Sequence, residues 1–330
     1  MKKKTKTIKE KINTSENLGK KYEIMYNMPG TQGSTIVYRI RALRDVGEEV
    51  KAGDLGGFVE SEINLSQSGN CWIFGNAVVM NDARVLDDAA IRERAVVKDR
   101  ACVLNNANVV GDAIISGCAR ILHLASVGGH ASVEYCATVQ NRALVTEEAQ
   151  VGGFAIVADY AEVGGRAYVN DYAKVVEHAI MTNYACAKES ATVCGYAHLY
   201  NDMVADGAVE IRDKHEIITL GRLGANSRVL QAAPTFEGRA YISCGCFRGD
   251  IEAFKAQVKK HYGDDPNGDY MLIIPLLKKR EAEWVASRRK PRHIEQCENT
   301  GVTNDAVPCI DPYGPTPTAE DMVRGFNARG

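Results

Sequence analysis

The chain has 330 residues, with 40 lysines and arginines against 42 aspartates and glutamates, and a formal net charge of −2. That near balance disfavours a broad nucleic-acid-binding surface, while 45% hydrophobic residues provide for a sizeable core. No apolar run reaches membrane-spanning length and the lysine-rich start lacks the hydrophobic centre of a secretory signal, so the sequence reads as a soluble, cytoplasmic protein. Ten cysteines without a regular framework fit a reducing compartment.

Residues 1–21 hold eight lysines against Glu10 and Glu16 with no aromatic residue between them, which describes a disordered basic tail better than a nucleic-acid platform. Residues 22–72 change to strand-like stretches, 22–26 and 35–42, and a glycine-containing run. A repeat array exposes strand edges and core at its ends, and this segment is placed to cap one of them.

From Ala77 to Ala197 every sixth residue is alanine, 21 in succession. Two residues after each alanine stands Val, Ile or Leu at 19 of the 21 positions, Met181 and Ala187 being the exceptions. The unit is V-x-[G/N/D]-x-A-x, as in Val109-Val110-Gly111-Asp112-Ala113-Ile114. A period of six does not fit a helix at 3.6 and does fit a short strand with a turn, each unit needing stacked neighbours to bury its apolar side. Gly, Asn and Asp fall where a corner requires left-handed backbone, and alanine where a tight corner leaves no room. Residues 73–211 are therefore predicted to form an all-β solenoid.

After Ala197 the rhythm decays, with Met203 in an alanine position. Residues 217–220, 228–232 and 239–243 read as short strands. Residues 250–261 read as an amphipathic helix with Asp250 as N-cap and Ile251, Phe254 and Val258 on one face, and residues 270–288 as a second helix that Pro275 bends or delays. Residues 212–286 thus form a small α+β unit, and residues 287–330, with five of the nine prolines, a flexible tail.

The alanine and aliphatic hexads resemble those of the hexapeptide-repeat proteins, whose chain winds into a left-handed parallel β-helix with three six-residue faces per coil. The resemblance implies the left hand, and 18 residues per coil makes 21 hexads about seven coils. Two stretches before the coils, Tyr38-Arg39-Ile40-Arg41-Ala42-Leu43 and residues 51–62, are similar to uncharacterised phage and prophage hexapeptide-repeat proteins. So is Cys244-Gly245-Cys246-Phe247-Arg248-Gly249 after them. This resemblance covers residues 38–277 and implies a product acting inside a bacterial host cell, through host interaction or counter-defence.

Sorting outward residues by 18 gives columns along the solenoid. One is largely apolar, with Leu86, Leu104, Leu122 and Val176, and is the expected oligomer or partner interface; the hexapeptide-repeat resemblance implies a homotrimer. Just before the alanines the later coils carry Phe154, Tyr160, Tyr172, His178, Tyr184 and Tyr196, candidate ligand-stacking positions. No catalytic residue is expected, because the unbroken hexads leave no substrate loop and His123, His130, His178 and His198 fall on regular rungs. Cys244, Cys246 and His261 form too sparse a set for zinc, so neither metal nor cofactor is expected. The function expected is non-catalytic binding of a host or phage protein. The alternatives are a nucleotide-like ligand at the aromatic corners and a hexapeptide-repeat acyltransferase.

Overall fold

The computed structural model describes residues 19–224, 227–263 and 268–288. Residues 55–213 form a parallel β-solenoid with three faces, each hexad giving a short strand and a corner. Residues pair with those 18 further on, as Val78 with Val96 and Val79 with Val97. The second residue of the strand and the alanine two positions before it point inward, and both ladders are buried along their whole length. Alanine is favoured there because the stacked coils of the regular array leave little space beyond a methyl group.

Corners follow one rule. Every sixth residue from Gly75 to Gly207 has φ between +53° and +79°. The non-glycine residues among them are Asn, Asp and Glu, with two exceptions, His123 and Tyr135. A left-handed conformation costs a side chain about 1–2 kcal/mol, and the carboxylates and amides offset part of it by capping the next coil. Asp99 Oδ2 accepts from Gly117 N at 2.9 Å, Asp159 Oδ2 from Glu177 N at 3.1 Å and Asp171 Oδ2 from Glu189 N at 3.0 Å.

The solenoid has about nine turns rather than seven. Its first face begins at β3 (Leu55–Val59) and carries nine parallel strands down to Val204–Ala205. The second begins with a bridge from Leu65 to Val85 and ends at Glu210–Asp213, and the third runs from Trp72–Ile73 to His198–Leu199. The early turns escape the alanine count because other residues fill the slot. Gly57 stands there on the first face, where a Cβ would lie 2.4 Å from Ile73 Cγ2 and 2.5 Å from Ala77 O. Cys71 stands there on the third, after a connection from Leu65 to Ile73 that is two residues longer than the hexad.

Two different caps close the ends. At the start, β1 (Tyr22–Gln32) and β2 (Thr35–Ala42) form an antiparallel hairpin that extends the first face through β3. Tyr22, Ile40, Ala42, Val46 and Val50 continue the solenoid core, and Tyr22 Oη donates to Leu65 O at 2.7 Å. Residues 1–18 of the expected tail lie outside the described residues, but Lys21 belongs to the cap and is fully buried. At the other end an antiparallel sheet of Ile218–Leu223, Arg228–Pro234, Ala240–Cys244 and Phe247–Gly249 lies over the last coil. Gln231 joins the two, accepting from Val204 N and donating to Asp202 O, both at 3.0 Å.

Helices α1 (Ile251–Tyr262) and α2 (Asp269–Arg288) cover the far side of that sheet, with Leu230, Ile242, Phe254, Val258, Leu277 and Trp284 in a separate core. Asp250 caps α1, its carboxylate accepting from Ala253 N at 2.8 Å. Pro275 does not delay α2, which starts at Asp269 and runs through it; burial of Tyr270, Ile274 and Leu277 on either side outweighs the lost backbone bond. Residues 289–330 lie outside the described residues. No helix among the described residues is long and apolar enough to cross a membrane.

Candidate functional site

The expected leucine column is less open than its sequence pattern implied. Leu86, Leu104 and Val176 are half-buried and Leu122 is only 7% exposed, within a single chain. Residues one coil apart in a column stand side by side, so each shields the next.

The aromatic corners do form ladders. Tyr160, His178 and Tyr196 are stacked at 5.1 Å between ring centroids with interplanar angles of 10° and 5°, and Phe154 and Tyr172 at 5.2 Å and 4°. A planar ligand inserted between two rings would need about two contact spacings of 3.5–4.0 Å. The coil rise leaves too little, so these rings fill one another's faces and keep only edges and ladder ends free. Tyr184 stands apart on the third corner, with Arg166 Cζ 5.8 Å from its ring centre and Nη1 donating to its hydroxyl at 3.3 Å.

The coil histidines are each held by a neighbour. His123 Nδ1 accepts from Asn141 N at 3.4 Å, His130 Nδ1 lies 3.6 Å from Asp112, His178 is inside the ladder, and His198 Nε2 lies 3.4 Å from Thr182 Oγ1. Cys244, Cys246 and His261 do not converge: Cys244 is buried in the helical core, while Cys246 and His261 are exposed and His261 Nδ1 faces Gln257 O at 3.0 Å.

Two tyrosines outside the sorted columns, Tyr135 and Tyr168, complete a surface on the first face and its corner with the second. Tyr135 occupies the left-handed corner position at φ +59°. In that column Asp99 and Asp171 supply an acceptor to the next coil; Tyr135 places a phenol there and is 68% exposed. A bulky residue in this conformation costs about 1–3 kcal/mol, and strain of this kind is retained where the structure gains something else from it.

Tyr168, also exposed, is close enough to Tyr135 to feel its phenol, Gly152 lies beside the Tyr135 ring, and the stacked Phe154 and Tyr172 occupy the same corner on the following coils. A Cβ on Gly152 would sit 3.6 Å from Tyr135 Cδ2 and 2.7 Å from Asn170 Oδ1, so the glycine keeps backbone within reach between the Tyr135 ring and the Asn170 amide. The Tyr168 phenol is pushed up by partial burial and then by Asp171, Cys186, Tyr135 and Glu134, which keeps it a neutral donor. The arrangement is an open, rigid aromatic platform with carboxylates and amides at its edge. It suits adhesion to a complementary surface. The signal for it was in the sequence as an exception, one aromatic ring in a slot otherwise held by Gly, Asn, Asp, Glu and one His.

No protein-family model matches this chain, and no curated protein is significantly similar to it.

Proposed function

We propose that this protein is a non-catalytic binder that docks a protein partner on the aromatic surface of its later coils, centred on Tyr135. One observation carries the reading. All eight Phe and Tyr residues between positions 135 and 200 are exposed, and four of them, Tyr135, Phe154, Tyr168 and Tyr172, share the first face and its corner with the second. Exposed tyrosines on a rigid scaffold lose little conformational entropy on contact and join an apolar face to a hydroxyl, the combination enriched at binding hot spots. The ladder spacing argues against a nucleotide held between rings. That the partner is a host or phage protein rests on the resemblance to phage and prophage proteins alone.

The test is to capture partners from bacterial lysate on the immobilised chain, purify the candidate and measure its affinity directly. Tyr135→Ala and Tyr168→Ala should each weaken binding by about 30-fold, the effect of losing a hot spot of about 2 kcal/mol. Ile114→Ala and Leu124→Ala, exposed apolar residues on the earlier coils, should leave it within about threefold. Equal losses at all four positions would remove Tyr135 and Tyr168 as the site. A thermal-shift series with nucleotides, run on the same samples, would show stabilisation if a small ligand were bound instead.

A further inference from the structure

Lys21 also departs from what its position and residue type lead one to expect. It is fully buried at the start of the solenoid, with Nζ 2.9 Å from Cys71 O, 3.2 Å from Ser68 O and 3.1 Å from Cys71 Sγ. Cys71 is equally buried, in the slot that alanine fills elsewhere, and its Sγ lies 3.5 Å from Val85 O. An amine and a thiol are thus held in direct contact between segments 50 residues apart in sequence.

We propose that Lys21 and Cys71 form a peroxide-dependent covalent cross-link that fastens the N-terminal hairpin to the first coils. Hydrogen peroxide oxidises the Cys71 thiol to a sulfenic acid, releasing one water. The lone pair of Lys21 Nζ then attacks the sulfur, the S–O bond breaks, and the hydroxyl leaves as a second water with a proton from nitrogen. One thiol, one amine and one peroxide give one S–N bond and two waters, the two electrons lost by sulfur reducing the peroxide. Thiols such as dithiothreitol reverse the link by attack at sulfur.

Contact and confinement favour this over further oxidation. The amine already touches the sulfur, so the second step needs no diffusion. Burial lowers the Lys21 amine toward its neutral, nucleophilic form and raises the Cys71 thiol, which makes the first step slow. Ser68, Gly69 and Asn70 are exposed above the pair, and local opening of this longer connection admits a molecule as small as peroxide. Cys244 is a control: it is also buried with a raised thiol, but its hydrogen-bond neighbour is the Tyr270 phenol.

The experiment uses the full chain, treated with hydrogen peroxide under native conditions, with residual thiols then blocked before trypsin digestion and mass spectrometry. The expected result is loss of cleavage after Lys21 and a linked peptide pair about 2 Da lighter than its two parts, separated again by dithiothreitol. Lys21→Arg should abolish the pair and send Cys71 on to sulfinic or sulfonic acid. If the wild-type protein retains cleavage after Lys21, with Cys71 recovered as thiol or as those acids, the proposal is overturned. That measurement needs no variant to fold.

Discussion

Residues 75–134 contain no Phe, Trp or Tyr, whereas residues 135–200 contain eight, all exposed. The two stretches are built alike inside, with the same buried ladders of alanine and aliphatic residues and the same left-handed corners. Both carry ion pairs outside, Arg94–Asp112 in the earlier and Arg166–Glu148 in the later, but the later alone adds aromatic ladders. Inward positions admit few residues per slot, so they record the fold. Outward positions on a stacked solenoid cost little to change, so a difference confined to them records what the surface meets.

If the interiors are equivalent, enlarging one alanine in each stretch should do equal harm. We expect Ala113→Leu and Ala155→Leu each to destabilise by about 3 kcal/mol, the upper end for overpacking, since stacked backbone cannot move aside. Chemical denaturation checks this. A loss in one stretch much larger than in the other would mean that the interiors differ and that the outward contrast has a structural cause.

A smaller effect is expected from Leu104→Asp on the earlier coils. A half-buried leucine between Leu86 and Leu122 loses about half the value of full burial, roughly 1 kcal/mol, and a charge set against that column adds to the cost. Light scattering on the same samples reads self-association separately. A wild-type trimer that dissociates in the variant supports the leucine column as a subunit contact, and a wild-type monomer assigns the whole loss to the column's own packing.

The fold was legible because its unit is covalently periodic and each slot has a steric reason. Where the reason was met by another residue, the period vanished from view: Gly57 and Cys71 fill alanine slots, and the longer connection between Leu65 and Ile73 shifts the register. Burial of Lys21 was hidden because lysine pays for desolvation in most sites; here the carbonyls of Ser68, Gly69 and Cys71 and the Cys71 sulfur make it tenable. Tyr168 stands before the aliphatic residue, where the hexad has no preferred residue type, and Tyr135 sits at the turn itself, where the pattern of Gly, Asn and Asp reports backbone conformation and not surface.

Tyr135 allows the contrast to be sharpened at one residue. Tyr135→Asn restores a side chain that tolerates left-handed backbone and can cap Gly153 in the manner of Asp99 and Gly117. We expect stability to rise by about 1 kcal/mol and partner affinity to fall. A variant that loses stability would show that the tyrosine is held by packing and has no strain to release.

The smallest change is expected at Gly152, and it separates floor from rim. Its φ lies outside the left-handed region, and the nearest obstacle to a Cβ is Asn170 Oδ1 at 2.7 Å, the end of a side chain that can swing away. Gly152→Ala should therefore cost less than about 1 kcal/mol. Gly111→Ala on the earlier coils is the comparison: φ is +79° and the Cβ would meet Gly129 O at 2.7 Å, backbone that cannot yield, so that variant should be the less stable of the two. For binding the order should reverse. A methyl group on the floor between Tyr135 and Asn170 keeps the partner from backbone, so Gly152→Ala should weaken binding several-fold while Gly111→Ala leaves the affinity of its folded fraction unchanged. If Gly152→Ala binds as wild type does, the partner touches the rings alone, and the surface reduces to Tyr135, Tyr168, Phe154 and Tyr172.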